Sequence, residues 1–173
     1  AMLSLKENET VSSAVSKLKG RISKWLNAES TESAATKTHG RGYFAVTTGK
    51  STADHIAQYL DTQAQHHRYD TRVRPPVFVK AFERSEKSAA LLATDHAVTS
   101  IRFHIVLATQ WRHGVFVESS AAAVAECWKL LEPANRIFVS KVSFVPDHVH
   151  IAVELHPAVS PAAVVRVLLN SAQ

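Results

Sequence analysis

The stretch Asp147-His148-Val149-His150-Ile151-Ala152-Val153-Glu154-Leu155 constrains this chain more than any other. Its apolar residues recur at every second position, the period of a strand, whose successive side chains point to opposite faces. Val149, Ile151, Val153 and Leu155 then share one wholly apolar face, which has to be buried. His148, His150, Ala152 and Glu154 share the other. Pro146 ahead of them suits the first residue of a strand or a turn into it. The second face has two explanations. It is a half-exposed sheet face that happens to carry two histidines, or a rigid support from which both imidazoles reach one metal ion. A metal site needs a third ligand from elsewhere in the chain.

With 173 residues, 46% of them apolar, the chain can bury a sizeable core as one domain. No apolar run approaches the roughly 20 residues of a membrane-spanning helix, and the first residues do not read as a secretory signal. The single Cys127 excludes an internal disulfide and a thiolate metal cluster, which suits a reducing cytoplasm. It sits on an apolar helical stripe, as a small hydrophobe would. The net charge of +5 with neutral histidines favours a polyanionic partner.

From Glu9 to Asn27, Val11, Ala14, Val15, Leu18, Ile22, Trp25 and Leu26 recur at helical spacing, and Lys17, Lys19, Arg21 and Lys24 occupy the other face. Residues 27–40, without an apolar period, read as a loop. Tyr43 to Thr48 has strand composition. Ser51 and Asp54 resemble a capping box opening a helix to about His66. Ala53, Ile56, Ala57, Leu60 and Ala64 form its buried stripe, with His55, Tyr59 and Gln63 along one flank. On such a flank a tyrosine can line a cleft, or be a boundary aromatic with its hydroxyl in water.

Residues 68–100 read as a connector, with a short strand at Val77-Phe78-Val79. Ile101 to Thr109 forms a strand with Arg102 and His104 opposite Phe103 and Ile105, and residues 111–114 turn it. A helix over 121–131 is stopped by Pro133, and a strand over 135–145 leads into the His strand. Ser160-Pro161, an N-cap followed by proline, opens a last apolar helix. Residues 101–172 therefore run strand, helix, strand, strand, helix. This predicts an α+β fold, a ferredoxin-like or RRM-like antiparallel sheet with helices on one face.

Residues 101–116 (IRFHIVLATQWRHGVF) and 142–155 (VSFVPDHVHIAVEL) resemble the front half of the small single-tyrosine HUH transposases, which move insertion sequences as single-stranded DNA. In that family the HUH histidines, matched here by His148 and His150, precede a tyrosine block. Here GYFAVTTGKSTADHIAQYLDTQ (42–63) resembles that block and AVSKLKGRISKWL (14–26) the helix before it, so the order is circularly permuted. The domain plan is then a basic helix and loop (1–40), a strand plus tyrosine helix (41–67), the connector (68–100) and an HUH sheet module with its C-terminal helix (101–173).

The resemblance implies Tyr59 as nucleophile and Gln63 as third ligand beside His148 and His150, holding Mg²⁺ or Mn²⁺. It implies a single-strand endonuclease and transesterase that passes through a 5′-phosphotyrosine at hairpin-bearing DNA ends, in a homodimer that can supply the tyrosine helix in trans. Lys17, Lys19, Arg21 and Lys24 are the expected DNA contacts, with Arg41 and Arg112 as weaker ones. Asp147, His55 and His66 are lesser candidates for ligand or proton-transfer roles, and a nucleoid-associated cytoplasmic location follows. The alternatives are a relaxase or replication initiator, which usually carries a third histidine, and a domesticated, non-cleaving hairpin-binding module. Residues 10–26 and 158–173 both resemble the same family helix. The apolar C-terminal copy is expected in the core, and the basic N-terminal copy is expected to keep a wet face.

Overall fold

The computed structural model describes residues 4–29, 43–47, 53–62 and 78–171. In chain order they form α1 (Val11–Glu29), β1 (Tyr43–Val46), α2 (Ala53–Asp61), β2 (Phe78–Ala81), α3 (Glu86–Leu92), β3 (Ala97–Ser100) and β4 (Arg102–Ala108). A single 3-10 turn (Gln110–Arg112) leads to α4 (Glu118–Asn135), β5 (Ile137–Val145), β6 (His148–Leu155) and α5 (Pro161–Asn170).

β6 carries the alternating stretch and lies inside a four-stranded antiparallel sheet ordered β2-β5-β6-β4. Val149, Ile151, Val153 and Leu155 are each at most 2% exposed. They share one core with Ala121, Ala125 and Trp128 of α4 and Val164 and Leu168 of α5. Each such burial contributes about 1.5–3 kcal/mol, so the period of β6 decides which face meets these helices. Trp128 stacks on Phe144, with ring centroids 5.7 Å apart, and its indole N–H donates to the Leu168 carbonyl at 3.1 Å.

α2 covers the opposite face. Its Leu60 is fully buried, and Asp61 pairs with Lys141 of β5 at 2.6 Å. Helices on one face therefore describes α4 and α5 but not α2. The reason is the histidine pair: His148 and His150 are 1% and 4% exposed, and β6 is covered on both sides.

The strand expected at 101–109 starts earlier. Residues 97–108 are extended apart from a break at Ile101, whose carbonyl accepts the Leu155 N–H at 2.9 Å. The first part, β3, pairs in parallel with β1, Tyr43 opposite Ala97 through Val46 opposite Ser100. The second part, β4, pairs with β6. One extended segment thus ties the tyrosine-bearing block to the histidine sheet.

Several boundaries differ from the sequence expectation. α4 runs through Pro133 to Asn135. The proline gives up its own N–H bond and its ring crowds the carbonyl four residues back, yet the helix continues two residues past it. Asn135 Nδ2 donates to the Leu131 carbonyl at 2.8 Å, and the stop is Arg136, in the left-handed region at φ 52°. α1 continues to Glu29, into the expected loop. α2 ends at Asp61 with Thr62 in a bend; Ser51, Gln63, Ala64 and His66 lie outside the described residues. The connector holds β2, α3 and β3. Its strands are four residues each, too short to show a period.

The two helices that resemble one another pack differently. α5 starts on Pro161 with Ser160 Oγ accepting the Ala163 N–H at 3.3 Å, and buries Val164 and Leu168. α1 is anchored at its start, where the Ser12 N–H donates to the Pro157 carbonyl at 3.0 Å and Val11 packs on the core. Farther along, Lys17, Arg21, Ile22 and Lys24 are exposed. The apolar copy is core and the basic copy keeps a wet face, as their compositions dictate.

Candidate active site

Sheet register sets the frame. His150 lies between Ser143 of β5 and Val106 of β4, and His148 between Val145 and Ala108. Their ring centroids are 4.8 Å apart at 63°, close enough for both rings to serve one ligand. Each ring is held through Nδ1. His148 Nδ1–H donates to Asp147 Oδ1 at 2.7 Å, and Asp147 Oδ2 pairs with Arg112 Nε at 2.6 Å. His150 Nδ1 lies 2.9 Å from His104 Nε2, with the two rings edge to edge, their centroids 5.1 Å apart and their planes within 22°. Coordination by either HUH imidazole would therefore use Nε2, with its orientation fixed from behind by a neighbour on Nδ1.

The electrostatics agree with this arrangement. Burial alone would raise the Asp147 carboxyl, but the His148 hydrogen bond and charge and the Arg112 guanidinium outweigh it and hold it below the ordinary value. Arg112 Nη2 also lies 3.4 Å from His148 Nδ1. With the Nδ1 proton directed at Asp147, that approach is a contact rather than a hydrogen bond. Partial burial lowers the His104 pKa and favours its neutral form.

Tyr59 comes to the same place from α2. Its ring meets His150 edge-on at 5.6 Å and His104 at 6.0 Å. Leu60 and the Asp61–Lys141 pair fix the helix directly after this contact, and Lys141 is the register partner of Ala152, on the His150 face. On β4, Arg102, His104, Val106 and Ala108 are exposed, so one flank of the centre is open to an incoming chain.

Tyr59, His148 and His150 are thus brought together, and Gln63 lies outside the described residues, as do His66 and Arg41. His55 is exposed on α2. Among the described residues no group of three or more His, Cys, Asp or Glu side chains could hold a metal ion; the expected third donor is an amide. Lys17, Arg21 and Lys24 are exposed on α1, while Lys19 is half-buried with its ammonium 5.9 Å from the Tyr43 ring centroid. Lys17 faces Glu9 at 3.5 Å.

His104 is a site residue that sequence alone did not single out. Its alternation with Phe103 and Ile105 put it on the polar face of a strand, but only the pairing of β4 with β6 puts that face beside His150. Ser143 was missed for the same reason. Its hydroxyl is fully buried, without a hydrogen-bond partner among the described residues, one strand over from His150.

A family model described as "Transposase IS200 like" matches residues 1–63 and 97–172. The unmatched 64–96 nearly coincides with the connector read over 68–100. No curated protein matches the chain.

Proposed function

This chain belongs to the IS200-like transposases, a family of HUH single-strand DNA nucleases, and from that premise we propose that it cleaves and rejoins single-stranded DNA at hairpin-bearing ends through a 5′-phosphotyrosine on Tyr59. The observation that carries the proposal is the edge-on contact of Tyr59 with His150, across a centre whose two HUH rings are each held at Nδ1. The Tyr59 oxygen attacks the scissile phosphorus, a new P–O bond to tyrosine forms, and the bond from phosphorus to O3′ breaks. The phenolic proton is balanced by protonation of the leaving O3′. One phosphodiester replaces another, so rejoining by the reverse step needs no ATP.

The residues present fit a divalent cation such as Mg²⁺ or Mn²⁺. Two imidazoles with oriented Nε2 atoms and an amide from Gln63 form a neutral donor set, which leaves the ion its full charge for phosphate. Bound there, the ion would neutralise charge developing on the phosphate oxygens. Asp147 and His104 then act on the ligands: Asp147 orients His148, and His104 orients His150. His104→Ala is expected to weaken Mn²⁺ binding by about 10–100-fold, read by calorimetry on the DNA-free protein, with His104→Gln recovering part of the loss. Unchanged affinity in His104→Ala would mean that His150 needs no such support.

The relaxase alternative calls for a third histidine. Among the described residues His104 is a third histidine, in contact with His150, but its Nε2 is engaged on His150 Nδ1, so it supports a ligand instead of adding one. We further propose that the order of modules is permuted, with the tyrosine block of 42–63 ahead of the HUH strand. The exposed Lys17, Arg21 and Lys24, with Lys19, would carry the DNA backbone, in a homodimer acting in the cytoplasm. No helix among the described residues is long and apolar enough to cross a membrane. The test is incubation with single-stranded hairpins labelled at the 3′ end, the fragment that a 5′-phosphotyrosine retains, and Mn²⁺. Strand cleavage with a covalent protein–DNA species is expected; tight hairpin binding without either would make this a non-cleaving binding module.

A further inference from the structure

Trp111 is 82% exposed, and its backbone sits in the left-handed region at φ 56°, ψ 20°. Arg112 follows at φ 56°. Left-handed backbone is unfavourable for residues with a Cβ, and more so for bulky ones. An indole left in water also forgoes the burial that normally repays an aromatic side chain. The fold thus sustains a strained turn and gains no packing from the side chain it displays.

What sustains the turn is its attachment to the HUH motif. Thr109 N–H donates to the Asp147 carbonyl at 2.9 Å, and Thr109 Oγ1 lies 3.0 Å from that carbonyl and 2.6 Å from that of His113. Arg112 reaches back to the Asp147 carboxylate at 2.6 Å. A Cβ at Gly114 would come within 3.3 Å of Pro146, and Phe116 N–H donates to the Pro146 carbonyl at 3.1 Å. The turn starts directly after Ala108, the register partner of His148. Arg112 turns back to Asp147 with its side chain still 55% exposed, and Trp111 stands in solvent directly before it.

We propose that Trp111 is a stacking platform for an unpaired base of single-stranded DNA lying beside the His148 and His150 centre. The proposal rests on the function argued above. A strand whose phosphate reaches His148 passes this turn, and an indole face accepts any base. The neighbours on the turn, Gln110, Arg112 and His113, are polar or basic and exposed, as a nucleic-acid surface requires. Val115 and Val117 are also exposed on the same loop, at 60% and 59%, so a second copy of the chain is the rival occupant.

The probe is a fluorescein-labelled thymidine 15-mer, chosen because stacking does not depend on sequence. Trp111→Ala is expected to weaken its binding by about 5–150-fold, the factor for one stacked base, and Trp111→Phe to recover most of it. The slope of affinity against salt should stay unchanged, because a stacked base releases no counterion. The 15-mer should also quench tryptophan emission in the parent protein, and much less in Trp111→Ala. Equal affinity and equal quenching in Trp111→Ala, with hairpin cleavage intact in the parent, would overturn the stacking role and leave the proposed function standing. Failure of the parent to bind or cleave single strands would remove both. Sedimentation velocity checks the rival: dissociation of an oligomer by Trp111→Ala, with unchanged affinity for the 15-mer, would assign the indole to a subunit interface.

Discussion

Tyr59→Phe is expected to bind a single-stranded hairpin as tightly as the parent and to form no covalent protein–DNA species on a denaturing gel. The substitution removes one oxygen and keeps the ring, so the edge-on contacts with His150 and His104 persist. Leu60 and the Asp61–Lys141 pair, which seat α2, are untouched. What disappears is the atom that would bond to phosphorus, and no neighbouring side chain replaces it. The effect is therefore total rather than graded. The chain has three tyrosines, Tyr43, Tyr59 and Tyr69, which makes the assignment sharp. Tyr43 carries its hydroxyl 2.8 Å from Ser12 Oγ, where β1 meets the start of α1, so Tyr43→Phe should loosen α1 slightly and leave the adduct intact. Tyr69→Phe should also leave it intact. An adduct that survives Tyr59→Phe and vanishes with either of the others would move the nucleophile.

How much of this was legible beforehand follows from the range of the interactions involved. The face assignment of β6 rests on a period of two within one strand, and α5 on a cap and a proline at its start. Both signals are local, and both elements are where the sequence put them. Pro133 misled because the helix end is set by the left-handed backbone of Arg136, which residue type does not signal, and not by the proline. The connector showed β2 only as a short strand over 77–79 and hid α3 and β3, because their lengths fall below the span over which a period can be counted. His104 shows the deeper limit. Nothing between residues 104 and 150 signals that their rings will meet. The contact exists because β4 pairs antiparallel with β6 in a register that sets Val106 against His150 and His104 against Ala152. Chemistry spread over neighbouring strands becomes readable only with that register.

His148→Ala is expected to abolish cleavage at any Mn²⁺ concentration, and excess chelator should do the same to the parent protein. His148 is 1% exposed and held by Asp147, itself held by Arg112. Removing the ring takes away the buried group proposed as a ligand, and at 1% exposure water has little access from which to replace it. Gln63→Ala should be milder, because water substitutes more readily for an amide ligand. Asp147→Asn separates orientation from coordination. It keeps the imidazole, weakens its support, and should lower Mn²⁺ affinity by about 10–100-fold without preventing cleavage at saturating metal. The pH dependence has a defined sign. The Asp147 carboxyl, ordinarily near 3.8, is held lower in the fold by His148 and Arg112 against the opposing effect of burial. A depressed carboxyl contributes stability that is fully present above its unfolded value and is lost as pH falls through the folded one. The Asp147 carboxylate should therefore stay ionised from neutral pH down to about pH 4, so its support of the His148 ring is not lost through its own protonation across that range. Full cleavage by His148→Ala, or by the parent in excess chelator, would mean that the histidine pair holds no ion that the reaction needs.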